Sequence, residues 1–189
     1  MNLAEFRKLL LVIPSSVIFF LIVPAVSVLF GEKLDAFLGF SPMEPGTVGI
    51  ALAVILLVVG GYYVLESIRI LFTDGKGIPL GDIIPEEQTT ELITTGIYSQ
   101  TRNPMLFGYI LCLIALGIYM KSWSIALLIP TLFTAIWTVW LKKQEEPALE
   151  LRFGDTYLKY REKTPYLFPR LNKTKAYIEL EKNLSKWQT

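Results

Sequence analysis

Four long apolar runs decide what this chain can become. Residues 9–30 (LLLVIPSSVIFFLIVPAVSVLF) carry no charge over 22 positions. Residues 48–65 are equally apolar, and the run continues to Phe72 through Glu66 and Arg69. Residues 105–120 and 123–141 follow, separated only by Lys121 and Ser122. A bilayer core of about 30 Å is crossed by about 20 residues of helix, so each run reads as a transmembrane helix. The expected fold is an all-α integral membrane protein, one membrane domain over 1–189, with helices at 9–30, 48–72, 105–120 and 123–141. The last two form a tight helical hairpin. The third, with 16 residues, either extends past its apolar limits or stops short of one face. Pro14, Pro24 and Pro130 fall inside spans, where neighbouring helices can re-satisfy the freed carbonyls. Arg7 and Lys8 precede the first run as they would in a signal peptide. It is longer than the usual apolar region of about 7–15 residues and ends in no A-x-A site, so a retained helix is expected.

Lysine and arginine set the orientation. Of 18 in all, only Lys33 and Lys121 fall in the first loop and the hairpin turn. The other 16 lie at the amino terminus, between the second and third spans, and from Lys142 onward. The positive-inside rule then makes both termini and the 73–104 loop cytoplasmic. Trp123 and Trp140 bracket the fourth span, 17 residues apart, matching two aromatic belts separated by about 26 Å. Nearly all polar mass lies in two cytoplasmic segments, 73–104 and 142–169, followed by a tail at 170–189. A water-soluble reactant therefore comes from the cytosol.

Composition removes several chemistries. There is no histidine, which excludes histidine triads, proton shuttles and metal sites. The single cysteine, Cys112, sits in an apolar run, so disulfide frameworks and thiolate zinc sites are excluded too, and no metal is expected. A net charge of +1 gives no basis for nucleic-acid binding. Asp74-Gly75-Lys76-Gly77 lacks phosphate-loop spacing and reads as a turn, and no G-x-G-x-x-G motif occurs.

Two clusters can carry chemistry. In the first, Thr95-Gly96-Ile97-Tyr98 leads to Arg102-Asn103-Pro104 at the start of the third span. Pro104 suits a first helical turn, and Arg102 beside the helix amino terminus makes an anion clamp, or else an anchor at headgroup level. In the second, Glu145 and Glu146 project on neighbouring faces if the fourth helix runs on past the membrane. They are placed to hold ribose hydroxyls or a cationic centre, or else are solvated charges flanking the bilayer. Phe153, Tyr157 and Tyr160 recur at i, i+4 and i+7, an amphipathic face that rests at the interface, covers the loop or packs on an adenine ring.

In order and spacing these clusters resemble the isoprenylcysteine carboxyl methyltransferase family, within the wider group that includes phospholipid N-methyltransferases. The first family motif, T-G-x-Y-x-x-x-R-H-P-x-Y-x-G, corresponds to Thr95, Gly96, Tyr98, Arg102, Asn103, Pro104, Leu106 and Gly108. The second, E-E-x-x-L-x-x-x-F-G-x-x-Y-x-x-Y with following prolines, corresponds to Glu145, Glu146, Leu149, Phe153, Gly154, Tyr157, Tyr160, Pro165 and Pro169. The similarity covers residues 94–169; the first two spans match only in being hydrophobic. It implies S-adenosylmethionine as methyl donor, with S-adenosylhomocysteine as product. It also implies a pocket built from the last hairpin and its cytoplasmic flanks, and a lipidic substrate entering from the bilayer. Carried over by position, Arg102, Glu145 and Glu146 are polar cofactor contacts, Arg102 and Glu146 the catalytic pair, and Tyr98, Asn103, Pro104, Tyr157 and Tyr160 the remaining cofactor site. Asn103 and Leu106 replace a motif histidine and tyrosine. A carboxylate acceptor is ionised at neutral pH and needs no general base, whereas an ammonium must first lose a proton. Without histidine, O-methylation of a lipid-linked, prenylcysteine-like carboxylate is the leading expectation. Phospholipid N-methylation is the alternative, ahead of a sterol-reductase-like enzyme or a non-catalytic module binding anionic lipid through its tail.

Overall fold

The computed structural model describes residues 16–75 and 89–170. Residues 9–15 of the first span, with Pro14, residues 76–88 of the long loop and the tail beyond Arg170 lie outside the described residues. The described chain is helical. Helix α1 (Val23–Leu38) follows a π turn at Ile18–Ile22, and α2 covers Gly46–Thr73. A 3-10 turn at Gly96–Ser99 leads into α3 (Pro104–Tyr119). Ser124–Lys163 is one helical run of 40 residues, kinked at Gly154. Within it, α4 (Ile129–Trp140) and α5 (Glu146–Lys163) flank a π turn at Leu141–Glu145, and another π turn, Ser124–Leu128, precedes α4.

Each of these π turns ends two residues before a proline: Pro24, Pro130 and Pro147. Proline has no N–H to give and its ring crowds the preceding turn, so the helix widens there rather than breaks. The first helix does not end with its apolar run at Phe30. The helix continues through Glu32, Lys33 and Asp35 to Leu38 and stops at Gly39, whose φ of 73° is the left-handed cap glycine adopts readily. The fourth span likewise runs far past Leu141. The third keeps to its apolar limits: 16 residues give about 24 Å, short of a bilayer core of about 30 Å.

The helices alternate in direction. At one end, Asp35 accepts the Ser124 N–H at 2.8 Å and Met43 N–H reaches the Lys121 carbonyl at 2.9 Å. The α3–α4 hairpin turns at Lys121, with φ 57°, and Ser122 N–H closes it onto the Gly117 carbonyl at 3.0 Å. Gly117 lies so close to Ala126 that a Cβ would collide with its backbone. Helices α2 and α3 meet through Gly60 and Gly108, where a Cβ on Gly60 would lie 2.6 Å from the Gly108 carbonyl oxygen. Small residues bring the backbones together, as packing inside a bilayer favours. The surface shows the same inversion: Val58, Leu65, Leu132 and Ile136 are each at least 60% exposed, while Ser27, Ser67, Ser122 and Ser124 are buried. Ser27 and Ser67 satisfy their hydroxyls on the carbonyls four residues back, at 2.7 and 2.6 Å.

Candidate functional site

The opposite end of the bundle gathers both sequence clusters. Pro104 occupies the first turn of α3 with Asn103 as its cap, which sets Arg102 beside the helix amino terminus. Helix α4 continues past the membrane-facing stretch, and the π turn Leu141–Glu145 carries it to Glu145 and Glu146 at the start of α5. Glu146 forms an ion pair with Arg102, and both side chains are largely shielded, at 17% and 13% exposure. Glu145 lines the main cavity. Arg102 also lies over the Tyr166 ring, 5.3 Å from its centroid, while its Nε is buried with no hydrogen-bond partner among the described residues.

The cavity, about 200 Å³, is two-natured. Its polar end is lined by Tyr98, Arg102, Asn103, Glu145 and Tyr160. Its apolar arm runs between α2, α4 and the π turn that precedes α1, past Phe19, Val64, Ile68, Phe133 and Trp137. A smaller recess adjoins it where Glu146 and Tyr157 join Arg102, Asn103, Glu145 and Tyr160. Tyr160 donates its hydroxyl to the Tyr98 carbonyl at 2.7 Å, tying α5 to the 3-10 turn. Burial drives the Tyr98 phenol well above its ordinary range, with Glu145 adding to the shift. Tyr157 is pushed up to about 12, first by burial and then by Glu146, so both phenols stay neutral at physiological pH.

All eight site residues named from sequence therefore meet at one end. Two details differ from expectation. Phe153, Tyr157 and Tyr160 do not form one unbroken helical face, because Gly154 takes φ 51° and ψ −132° and kinks α5 between them. Phe153 lies instead against Arg152, 5.4 Å from ring centroid to guanidinium, while Tyr157 is buried. Asn103, in the histidine position of the motif, spends its side-chain amide on the Tyr166 carbonyl at 2.9 Å.

That last bond belongs to a feature the sequence reading missed. After α5, residues 164–170 return as an irregular, bent strap over the segment before α3. Arg102 N–H donates to the Pro165 carbonyl at 2.9 Å, and buried Thr101 donates its hydroxyl to the Leu167 carbonyl at 2.9 Å. Arg170 N–H reaches the Gln100 carbonyl at 3.0 Å, and Lys142 covers the Tyr166 ring at 5.2 Å. The available signal was Pro165 and Pro169, which forbid helix and favour extended backbone.

A comparison with curated proteins returned no match. The family model described as phospholipid methyltransferase matches residues 48–156. The match begins within α2, so it reaches further toward the amino terminus than the motifs of residues 94–169, and it spans both the Arg102 and Glu145–Glu146 clusters. With more than half of the chain matched, and an inverted helical bundle carrying those clusters at one end, the protein belongs to the phospholipid methyltransferase family, membrane methyltransferases that act on lipid-related substrates.

Proposed function

We propose that the protein methylates the carboxylate of a lipid-linked acceptor, prenylcysteine-like in form, with S-adenosylmethionine as donor. The observation that carries this reading is the cavity itself, charged and aromatic at one end and mostly apolar along its arm. An amphiphile matches that gradient. The residues also fit the donor: a buried Arg102 Nε that lacks an acceptor calls for an anionic group, and Glu145 and Glu146 offer carboxylates to hydroxyls or to a cation. Tyr98 and Tyr160 supply the wall beside them. When bound, S-adenosylmethionine supplies a methyl group already activated by its sulfonium.

The protein's own task is then to orient and to exclude water, worth about 7–11 kcal/mol where two reactants are held in line. Arg102, fixed by Glu146 and the Tyr166 ring, keeps its guanidinium in one place. The chain holds no histidine, and the phenols of Tyr98 and Tyr157 stay protonated. An acceptor that is already an anion needs no proton removed, which favours a carboxylate over an ammonium. N-methylation of a phospholipid amine is the second reading, supported by the matched family's description and by Glu145 as the carboxylate placed to take a proton. The charge distribution supports a cytoplasmic side for both termini and this site, with lipids as the proposed surrounding partners.

Purified protein in detergent, supplied with methyl-labelled S-adenosylmethionine, is offered a farnesylcysteine analogue or phosphatidylethanolamine. Label in the base-labile ester of the first supports the O-methylation reading, and label in the amine of the second replaces it with the alternative. Titration with S-adenosylhomocysteine provides the companion measurement; no binding at sub-millimolar ligand by folded protein overturns both.

A further inference from the structure

The wall of the apolar arm contains a backbone carbonyl that its own helix cannot satisfy. In the π turn Ile18–Ile22, the Val23 N–H bonds to the Ile18 carbonyl, five residues back, rather than to Phe19. The next donor in that register would come from residue 24, which is proline and has none. The Phe19 carbonyl is therefore stranded in an apolar setting, where an unpaired polar group costs several kcal/mol. Tyr109, from α3, donates its hydroxyl to that oxygen at 2.6 Å. Tyr109 is otherwise buried and takes no part in the polar end of the site.

The turn held in this way carries Phe19 and Phe20, both of which line the arm. Phe19 stands edge-on to Tyr109 at 5.7 Å and to Trp137 at 5.1 Å, so its position fixes how wide the arm is between α1 and α4. We propose that Tyr109 is the positioning residue for the acceptor's hydrocarbon tail: its hydroxyl pins the Phe19 carbonyl, holds the π turn of α1 in shape and so sets the wall against which the tail packs. The proposal rests on the reading of the arm as the place of a lipidic acceptor. It assigns Tyr109 no contact with the reacting atoms.

Trp137 lines the arm and gives a direct readout. In protein whose Trp123, Trp140 and Trp187 are replaced by phenylalanine, a fatty acid with a brominated chain should quench Trp137 saturably. Tyr109→Phe keeps the ring that packs on Phe133 at 5.0 Å and removes only the hydroxyl. It should weaken the fatty acid's apparent affinity about tenfold, the consequence of losing one buried hydrogen bond, with S-adenosylhomocysteine affinity unchanged. Pro24→Ala restores an N–H at the stranded turn, so the Tyr109→Phe/Pro24→Ala double variant should recover most of the loss. Recovery is an outcome that mere loosening of the core would not give. Absence of saturable quenching in the parent protein, equal affinity in Tyr109→Phe, or no recovery in the double variant each overturns the proposal. A fatty acid that binds in the arm while no carboxylate acceptor is ever methylated overturns the functional reading and leaves the role of Tyr109 standing.

Discussion

The Arg102–Glu146 pair bears the strongest quantitative prediction. An ion pair in open solvent is worth about 0–1 kcal/mol, but here both side chains are more than four-fifths shielded. A hydrogen bond to a charged group in such a setting is worth about 1.5–3 kcal/mol. Removing one member of a fully buried pair costs about 3–5 kcal/mol, because the survivor is left charged and unmatched. Glu146→Gln leaves Arg102 a neutral acceptor and the Tyr166 ring beneath it, so the lower range applies. Each of Glu146→Gln and Arg102→Gln should destabilise the protein by about 1.5–3 kcal/mol. At about 2–4 °C per kcal/mol for a chain of this size, that is a fall of roughly 3–12 °C in unfolding midpoint. The double variant joins two neutral amides and should not fall by the sum. A coupling of about 1.5 kcal/mol or more is expected from the cycle. S-adenosylhomocysteine affinity, measured by calorimetry on the same four proteins, should drop between about tenfold and about a hundredfold in each single variant. Additive effects, with coupling below about 0.5 kcal/mol, would show that the two side chains act separately and would refute the derivation.

Gly117→Val should open the α3–α4 hairpin, since its Cβ would collide with the Ala126 backbone; a loss of about 1–3 kcal/mol or failure to fold is expected by thermal unfolding in detergent. Thr101→Val removes the hydroxyl that holds the Leu167 carbonyl, at a cost of about 1–3 kcal/mol for the buried oxygen left behind. It should expose the 164–170 strap to limited proteolysis while α2 and α3 stay protected. For Asp35, beyond the first apolar run, burial acts to raise the carboxyl pKa, but hydrogen bonds from Ser122 and Ser124 outweigh it and hold it below the usual 3.8. A depressed carboxylate contributes stability that is whole above 3.8 and is lost as the pH falls through the lower folded value. The acid limb of stability should therefore flatten in Asp35→Asn, and an unchanged limb would remove Asp35 from that account.

What the sequence made legible follows from the range of each cause. A span is legible because lipid demands a local property, about 20 apolar residues in a row, and the α2 and α3 boundaries fall within two residues of the apolar limits. The motif residues are legible because proline at a helix start and glycine beside it impose local geometry. The strap was not, since Thr101 and Leu167 are 66 residues apart and only tertiary packing says where a non-helical segment lands. Gly154 carried a signal that periodicity overrode: Phe153, Tyr157 and Tyr160 keep helical spacing in sequence, yet a residue at φ 51° between them ends their common face. The three prolines show an intermediate case. Tolerance inside helices was foreseeable for Pro24 and Pro130, but a proline says only that a carbonyl upstream has lost its donor, not which group will answer. At Pro24 the answer is Tyr109, 85 positions away, and at Pro147 the widened turn ends at Glu145, beside Glu146. The same local defect thus stands beside the apolar wall of the cavity at one place and beside its charged end at another.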